Sequence, residues 1–311
     1  MNAPIVGLHH ITAIASSAKR NVDFYTQVLG LKLVKKTVNF DDPGTYHFYY
    51  GDAVGTPGSI LTFFPWQDMM PGRRGTGMVT EIGYSVPEGS LDFWIRHFEK
   101  HNVPYNKPGE KFGDQYLPFL DPDGLKLELI VPATPDTRTP FASGEITSEV
   151  ATRGFYNVSI SLKSIQGTAS VLTDIFGYQL EQEHVNRFRF KTDAISTANI
   201  VDLVELPGEG RGHVAGGSVH HVAFRVKDEE TLMAYRDKVL AYGLNITEKI
   251  DRNYFYSLYF REPGGVLFEI ATDAPGFAVD EAVTELGTHL KLPSQYERQR
   301  AEIEKILPQL D

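Results

Sequence analysis

Cysteine is absent from this 311-residue chain, which excludes disulfides, thiolate metal sites and a cysteine nucleophile. No apolar run approaches the roughly 20 residues of a membrane-spanning helix. Residues 1–6 carry neither a charged leader nor an apolar stretch of signal-peptide length, so the expectation is a cytoplasmic protein without a membrane partner. A basic surplus is missing too: 30 Lys and Arg stand against 40 Asp and Glu, a net charge of −10. No basic run offsets it, which argues against nucleic acid as a partner. What is there is 41% hydrophobic and 23% charged residues, enough for a large core in one big domain or two of ordinary size. Composition leaves assembly into a homo-oligomer open.

Within that composition one pattern recurs four times. Over 217–226, Val222, Phe224 and Val226 alternate along one face of a strand, as do Val266, Phe268 and Ile270 over 265–273. The opposite faces present His221 and Glu269. His9-His10-Ile11-Thr12 repeats His220-His221-Val222-Ala223 and puts His10 in the slot of His221, while residues 121–130 match 262–271 without a gap. Starts near residues 7, 79, 155 and 218 mark four small units of one kind. The first reads as a strand over 7–15, a helix over 20–29 stopped at Gly30, and strands over 31–40, 45–51 and 58–64. Helices follow the opening strands of modules two and three at 91–102 and 166–176. The expected fold is α+β, four βαβββ modules paired into two half-barrel domains. A Thr-, Pro- and Ser-rich linker at 133–150 divides the chain into an N-terminal domain over 7–132 and a C-terminal domain over 151–273. A tail over 274–311 carries a last helix at 294–307, with Ser294 and Glu297 placed as a capping box.

Aligning the modules tests for a shared site. The first-strand slot holds His10, Glu81, Asn157 and His221. The last-strand slot holds Thr62 or Phe63, Glu128, a position near Asp202 or Leu203, and Glu269. Imidazoles occur only in modules one and four, and a carboxylate to accompany them only in module four. Those two modules are expected to share the functional half-barrel, binding a metal through His10, His221 and Glu269, with modules two and three as its degenerate counterpart. Two neutral imidazoles and one carboxylate on one face of a metal leave open positions, the pattern of mononuclear non-haem Fe(II) sites, though zinc and Mn(II) fit the same ligands. In a regular strand His9 and His220 point away from their neighbours' face. Glu81 and Glu128 lack a good third ligand, since Asn157 is a poor one. His47, His97, His101, His184, His213 and His289 fit no shared pattern and read as surface or structural. Tyr254, Phe255, Tyr256 and Tyr259 line both faces of one strand and read mostly as core.

The four βαβββ units, the helix exit Phe24-Tyr25-Thr26-Gln27-Val28-Leu29-Gly30-Leu31 and the His and Glu strand positions resemble the glyoxalase/bleomycin-resistance/extradiol-dioxygenase superfamily, also called vicinal oxygen chelate, over residues 7–273. Within it, Gly7-Leu8-His9-His10-Ile11-Thr12, Leu33-Val34-Lys35-Lys36-Thr37-Val38, Arg73-Arg74-Gly75-Thr76-Gly77 and Asp251-Arg252-Asn253-Tyr254 are similar to ring-cleaving dioxygenases that open hydroquinones. The resemblance implies Fe(II) as the metal, with Mn(II) acceptable, and a small aromatic diol and O2 as substrates. It also implies that Arg252 and Tyr259 assist the chemistry and that Thr12 is a pocket threonine beside His10. His9 and His220 join them as candidates for moving a proton or stabilising charge. Three readings compete. A glyoxalase-like lyase or isomerase is disfavoured by the missing module-one carboxylate. A catechol-type extradiol dioxygenase is disfavoured because the resemblance there implies both histidines from the C-terminal half. A non-catalytic, drug-sequestering binder is disfavoured by the ligand set.

Overall fold

Alternating apolar positions separated by Gly, Pro and Asp turns produce the expected order in every module. The computed structural model describes residues 3–310. Module one runs β1 (Leu8–Ala15), α1 (Ala18–Asp23), β2 (Lys32–Asn39), β3 (Asp42–Gly51) and β4 (Ile60–Pro65). Module two runs β5 (Met78–Ser85), α2 (Leu91–Lys100), β6 (Gly109–Lys111), β7 (Asp114–Leu120) and β8 (Lys126–Val131). Module three runs β9 (Phe155–Leu162), α3 (Gln166–Ser170), β10 (Gln179–His184), β11 (Arg187–Lys191) and β12 (Ile200–Glu205). Module four runs β13 (Ser218–Val226), α4 (Glu229–Ala241), β14 (Ile250–Asp251), β15 (Phe255–Arg261) and β16 (Leu267–Pro275), and the tail ends in α5 (Arg300–Ile306). In modules one and three the helix widens into a π-turn, Phe24–Val28 and Val171–Ile175, and the chain leaves through Gly30 at φ +67 and Gly177 at φ +78. Only glycine takes that left-handed conformation without steric cost.

Two curled sheets result, with strand orders β14-β15-β16-β13-β1-β4-β3-β2 and β10-β11-β12-β9-β5-β8-β7-β6. Each module supplies four adjacent strands, and modules join through antiparallel first strands, β1 with β13 and β5 with β9. Modules one and four therefore share one half-barrel, and modules two and three the other. The linker at 133–150 divides the sequence, but both sheets cross that division: each takes one module from 7–132 and one from 151–273.

Both seams slip in register at equivalent places. One extra residue is inserted at His9 and His220 in the first seam and at Thr80 and Tyr156 in the second. A bulge lets two successive side chains lie on the same side of a strand.

Val222, Phe224, Val226, Phe268 and Ile270 are fully buried, and Phe176 from the module-three helix exit packs on Phe224 at 4.7 Å between ring centres. The helices thus cover the outer faces, and the inner face of the first sheet carries polar side chains among aromatic ones. The last helix departs from the capping-box expectation. A 3-10 turn over Glu297–Gln299 precedes α5, no side chain caps it, and Ser294 lies in a turn. Tyr296 donates to the Phe40 carbonyl at 2.7 Å, which pins this stretch to the β2–β3 hairpin before the helix starts. Upstream of it the tail lies along β2, where Lys291 N–H donates to the Lys36 carbonyl.

Candidate metal centre and substrate cavity

β1 and β13 lie side by side, so His10 and His221 meet although 211 residues separate them in sequence. Their Nε2 atoms are 3.4 Å apart, and Glu269 Oε2, from β16, is 3.1 Å from His10 Nε2 and 2.8 Å from His221 Nε2. Three ligands about 2.1 Å from a cation and at right angles would be spaced by about 3 Å. Glu269 is fully buried, its Oε1 accepts from Ser257 Oγ, and its Oε2 receives no hydrogen bond of its own. Burial works to raise this carboxyl, and attraction from His10 and His221 overrides it and holds the group well below its ordinary range. A buried, ionised carboxylate with a vacant acceptor facing two imidazole edges is a group that can bind a metal.

The bulges decide which imidazole nitrogen faces inward. In place of the opposite-face geometry of a regular strand, His9 Nδ1 lies 2.9 Å from His10 Nδ1, and His220 Nδ1 lies 2.8 Å from His221 Nδ1. His9 Nε2 sits 3.1 Å from the Thr272 carbonyl, which can only accept, so that nitrogen carries the proton. Burial foremost, with His10 beside it, lowers the His9 pKa well below the ordinary value. The ring is neutral, its Nδ1 accepts, and His10 donates from Nδ1. The His10 Nε2 lone pair is thereby turned toward Glu269. His220 repeats the device: burial and then His221 bring it down to about 4, so it too can accept from its neighbour and keep its own N–H on Nε2.

The triad opens into a cavity of about 460 Å3, within the usual range for small-molecule sites. Its apolar wall includes Phe40, Phe64, Trp66 and Phe255, and its polar lining includes His220, Arg252 and Tyr259. Arg252 Nε donates to Tyr259 OH at 3.2 Å. Burial first and the Glu269 charge second push the Tyr259 phenol far up, so it stays protonated. His9 is buried behind His10, against Phe255. Thr12 is fully buried beneath the wall, with its hydroxyl 2.8 Å from Thr62 Oγ1. Strand register settles the open slots. Thr12 pairs with Thr62 as Ala223 pairs with Glu269, and Ser159 pairs with Asp202, so the counterparts of Glu269 are Thr62 and Asp202, not Phe63 or Leu203.

His47, read from the sequence as surface or structural, lines this cavity. Its Nε2 is 2.9 Å from Thr62 Oγ1 and its Nδ1 is 3.0 Å from Tyr49 OH. Burial, followed by the neighbouring imidazoles, lowers its pKa well below the ordinary value. The alternation of His47 and Tyr49 on a third strand was the available signal, but comparing only first and last strands passes over it.

The other half-barrel fills its equivalent slots with ion pairs. Lys111 Nζ lies 2.6 Å from Glu128 and 3.1 Å from Glu81, and Arg187 lies 3.0 Å from Glu81. Arg189 pairs with Asp202 at 2.9 Å and with Asp114 at 2.7 Å, while Asn157 donates to Asp202 at 2.8 Å. Side-chain cations there neutralise the carboxylates that a metal would otherwise engage.

A family model for the glyoxalase/bleomycin resistance protein/dioxygenase superfamily matches residues 7–129 and 157–270. The chain belongs to this superfamily. It is 45% identical over 304 residues to MhqO of Bacillus subtilis (strain 168), a protein named as a ring-cleaving dioxygenase, across 97% of this chain and 96% of that one. It is 34% identical over 305 residues to the chlorohydroquinone/hydroquinone 1,2-dioxygenase of Sphingobium indicum, across 96% and 95% of the two chains. A crystal structure of a Bacillus subtilis protein named as a dioxygenase matches with a TM-score of 0.95 at 44% identity, covering 99% of this chain and 98% of that one. Glyoxalase I from Zea mays shares the fold alone, with a TM-score of 0.63 at 16% identity over 86% of this chain and 92% of that one. Relatives this similar over nearly their whole length make this superfamily member an enzyme of the ring-cleaving dioxygenase kind.

Proposed function

We propose that the enzyme is an Fe(II)-dependent dioxygenase that opens hydroquinone-type rings with O2, with His10, His221 and Glu269 as its metal ligands. The observation that carries this reading is the three-ligand group itself, buried, with its tautomers set by His9 and His220, at the head of a cavity walled by aromatic rings. Thr62 stands where a second carboxylate, as fourth ligand, would complete a closed set, so a metal held by the three would keep open positions. When bound, the metal holds the diol and O2 together and lets electrons pass between them.

The chain's own residues do the rest. Phe40, Phe64, Trp66 and Phe255 hold the ring and keep water from it. Arg252 places a permanent positive charge beside the phenol of Tyr259, where negative charge on a diol oxygen is stabilised. The neutral Tyr259 O–H and the His220 Nε2–H line the cavity as donors for returning a proton.

An oxygen electrode tests this directly, with hydroquinone, methylhydroquinone, catechol, and methylglyoxal plus glutathione as substrates. The protein is loaded with Fe(II), Mn(II) or Zn(II). Oxygen uptake is expected with Fe(II), faster with the hydroquinones than with catechol, and absent with Zn(II). Turnover of the methylglyoxal adduct without oxygen and regardless of metal would assign a lyase. Rapid uptake with catechol and none with hydroquinones would keep the dioxygenase and remove the hydroquinone assignment.

A further inference from the structure

The likeness between modules one and four extends to their third strands. β15 pairs Tyr259 with Glu269, and β3 pairs Tyr49 with Thr62. Since Thr62 occupies the slot of Glu269, Tyr49 is the counterpart of Tyr259 in module one. Two residues earlier the match continues: Ser257 bonds to Glu269 and His47 bonds to Thr62. The same positions in the other half-barrel hold Pro118 and Arg189. Only the half-barrel with the His–His–Glu group has a pair of phenols, and both line the cavity. Burial first, then Tyr259, push the Tyr49 phenol well up, so it too stays protonated.

The two phenols differ in company. Tyr259 OH accepts from Arg252, whereas the one hydrogen bond of Tyr49 OH among the described residues is to His47 Nδ1. His47 is clamped, its ring 4.1 Å from that of Tyr49 and 4.3 Å from that of Phe64, with Nε2 held by Thr62 and Thr62 held by Thr12. Both imidazole nitrogens are therefore engaged, and His47 acts on a ligand through Tyr49. A phenol is the stronger donor of the pair, so in the tautomer with the His47 proton on Nε2, toward Thr62, the Tyr49 O–H is donated to Nδ1 and Tyr49 keeps an oxygen lone pair free.

We infer that Tyr49, positioned by His47, recognises the second hydroxyl of the aromatic diol. The inference rests on the diol reading given above. A para diol carries its oxygens at opposite ends of the ring, and the cavity offers one phenol from each of two like modules, Tyr259 beside Glu269 and Tyr49 beside Thr62. One oxygen belongs beside the His–His–Glu group, near Tyr259 and Arg252. The remaining O–H needs an acceptor: among the polar lining, Asn39 Oδ1 already accepts from Asp41 N–H, Thr247 Oγ1 accepts from Tyr259 N–H and Asp41 faces Arg252, whereas Tyr49 has an acceptor lone pair to offer. An ortho diol, with both oxygens at one end, leaves Tyr49 unmet.

The test is ligand binding to the Zn(II)-loaded protein, where no turnover is expected. Hydroquinone and phenol are titrated under nitrogen, following the emission of Trp66, which lines the cavity; Trp94, the other tryptophan, is fully buried elsewhere. The unmodified protein should bind hydroquinone about tenfold more tightly than phenol, the effect of one hydrogen bond of about 1.4 kcal/mol. Tyr49→Phe should abolish that preference with phenol affinity and metal content unmoved. His47→Phe should weaken it, and His47→Gln, which still accepts and donates, should recover most of it. Equal affinities in the unmodified protein, or a preference that survives Tyr49→Phe, overturns the inference. Discrimination by Tyr49 in a protein that consumes no oxygen with any diol would refute the reaction and support this subsite.

Discussion

At the scale of single residues, His9 and His220 do for the imidazoles what ligand identity alone cannot: they choose the nitrogen that faces the proposed metal. Replacing His9 with Phe keeps a ring against Phe255 but removes the acceptor for His10 Nδ1–H. Affinity for Fe(II) or Zn(II), measured by competition with a chromophoric chelator, should fall about 10- to 100-fold, as for other partners that orient a ligand. Unchanged affinity would show that His10 holds its tautomer without help. Glu269→Gln conserves size and removes the charge opposing a divalent ion, so metal content after dialysis should drop steeply; full occupancy and activity would place the carboxylate ligand elsewhere. His10, His221 and Glu269 were legible because the chain repeats itself, so that three ligand types at matching slots stand out against the other histidines. His47 was not, since its neighbours Tyr46, Phe48 and Tyr49 disguise it as part of an aromatic strand, and its partner Thr62 is a type that signals nothing alone.

At the scale of elements, the βαβββ order was readable from alternation and turns, but the bulges at His9 and His220 were not. A bulge belongs to two strands in register, and neither sequence contains it by itself. That is why a regular-strand reading turned His9 away from His10. The second half-barrel makes an independent prediction. Glu128 is fully buried, and burial foremost, then repulsion from Glu81, raise its pKa, with Lys111 opposing the rise. Lys111→Met removes that counter-charge, and breaking a buried pair costs about 3–5 kcal/mol. Glu128 in the variant then titrates higher still. A carboxyl whose folded-state pKa is raised loses stability as pH climbs from the unfolded value of about 4.3 through the folded one. Urea unfolding should accordingly show a deficit that is larger at pH 8 than at pH 5. A deficit independent of pH would mean that Glu128 does not titrate in that window.

At the scale of the whole molecule, the pairing of module one with module four was implied by where the imidazoles fall, whereas the role of the tail was not, because nothing in residues 276–292 repeats. The structure gives those residues a clasp. Lys35 is fully buried on β2, and its ammonium meets Asp280 and Glu281 of the tail, with Tyr254 donating to Asp280 at 3.0 Å. Phe277 packs on Tyr49 at 5.1 Å and on Tyr254 at 5.2 Å between ring centres, so the clasp bears on the cavity wall from behind. Lys35→Met leaves Glu281 buried without its cation and should cost about 3–5 kcal/mol. It should also open the tail to proteolysis and weaken hydroquinone binding by loosening Tyr49. Adding Glu281→Leu removes the stranded charge and should return most of the stability. If the double variant is as unstable as the single one, the loss comes from the missing Lys35 ammonium itself and not from the stranded Glu281 charge. If the single variant is cleaved in the tail yet binds hydroquinone normally, the wall holds Tyr49 without support from behind.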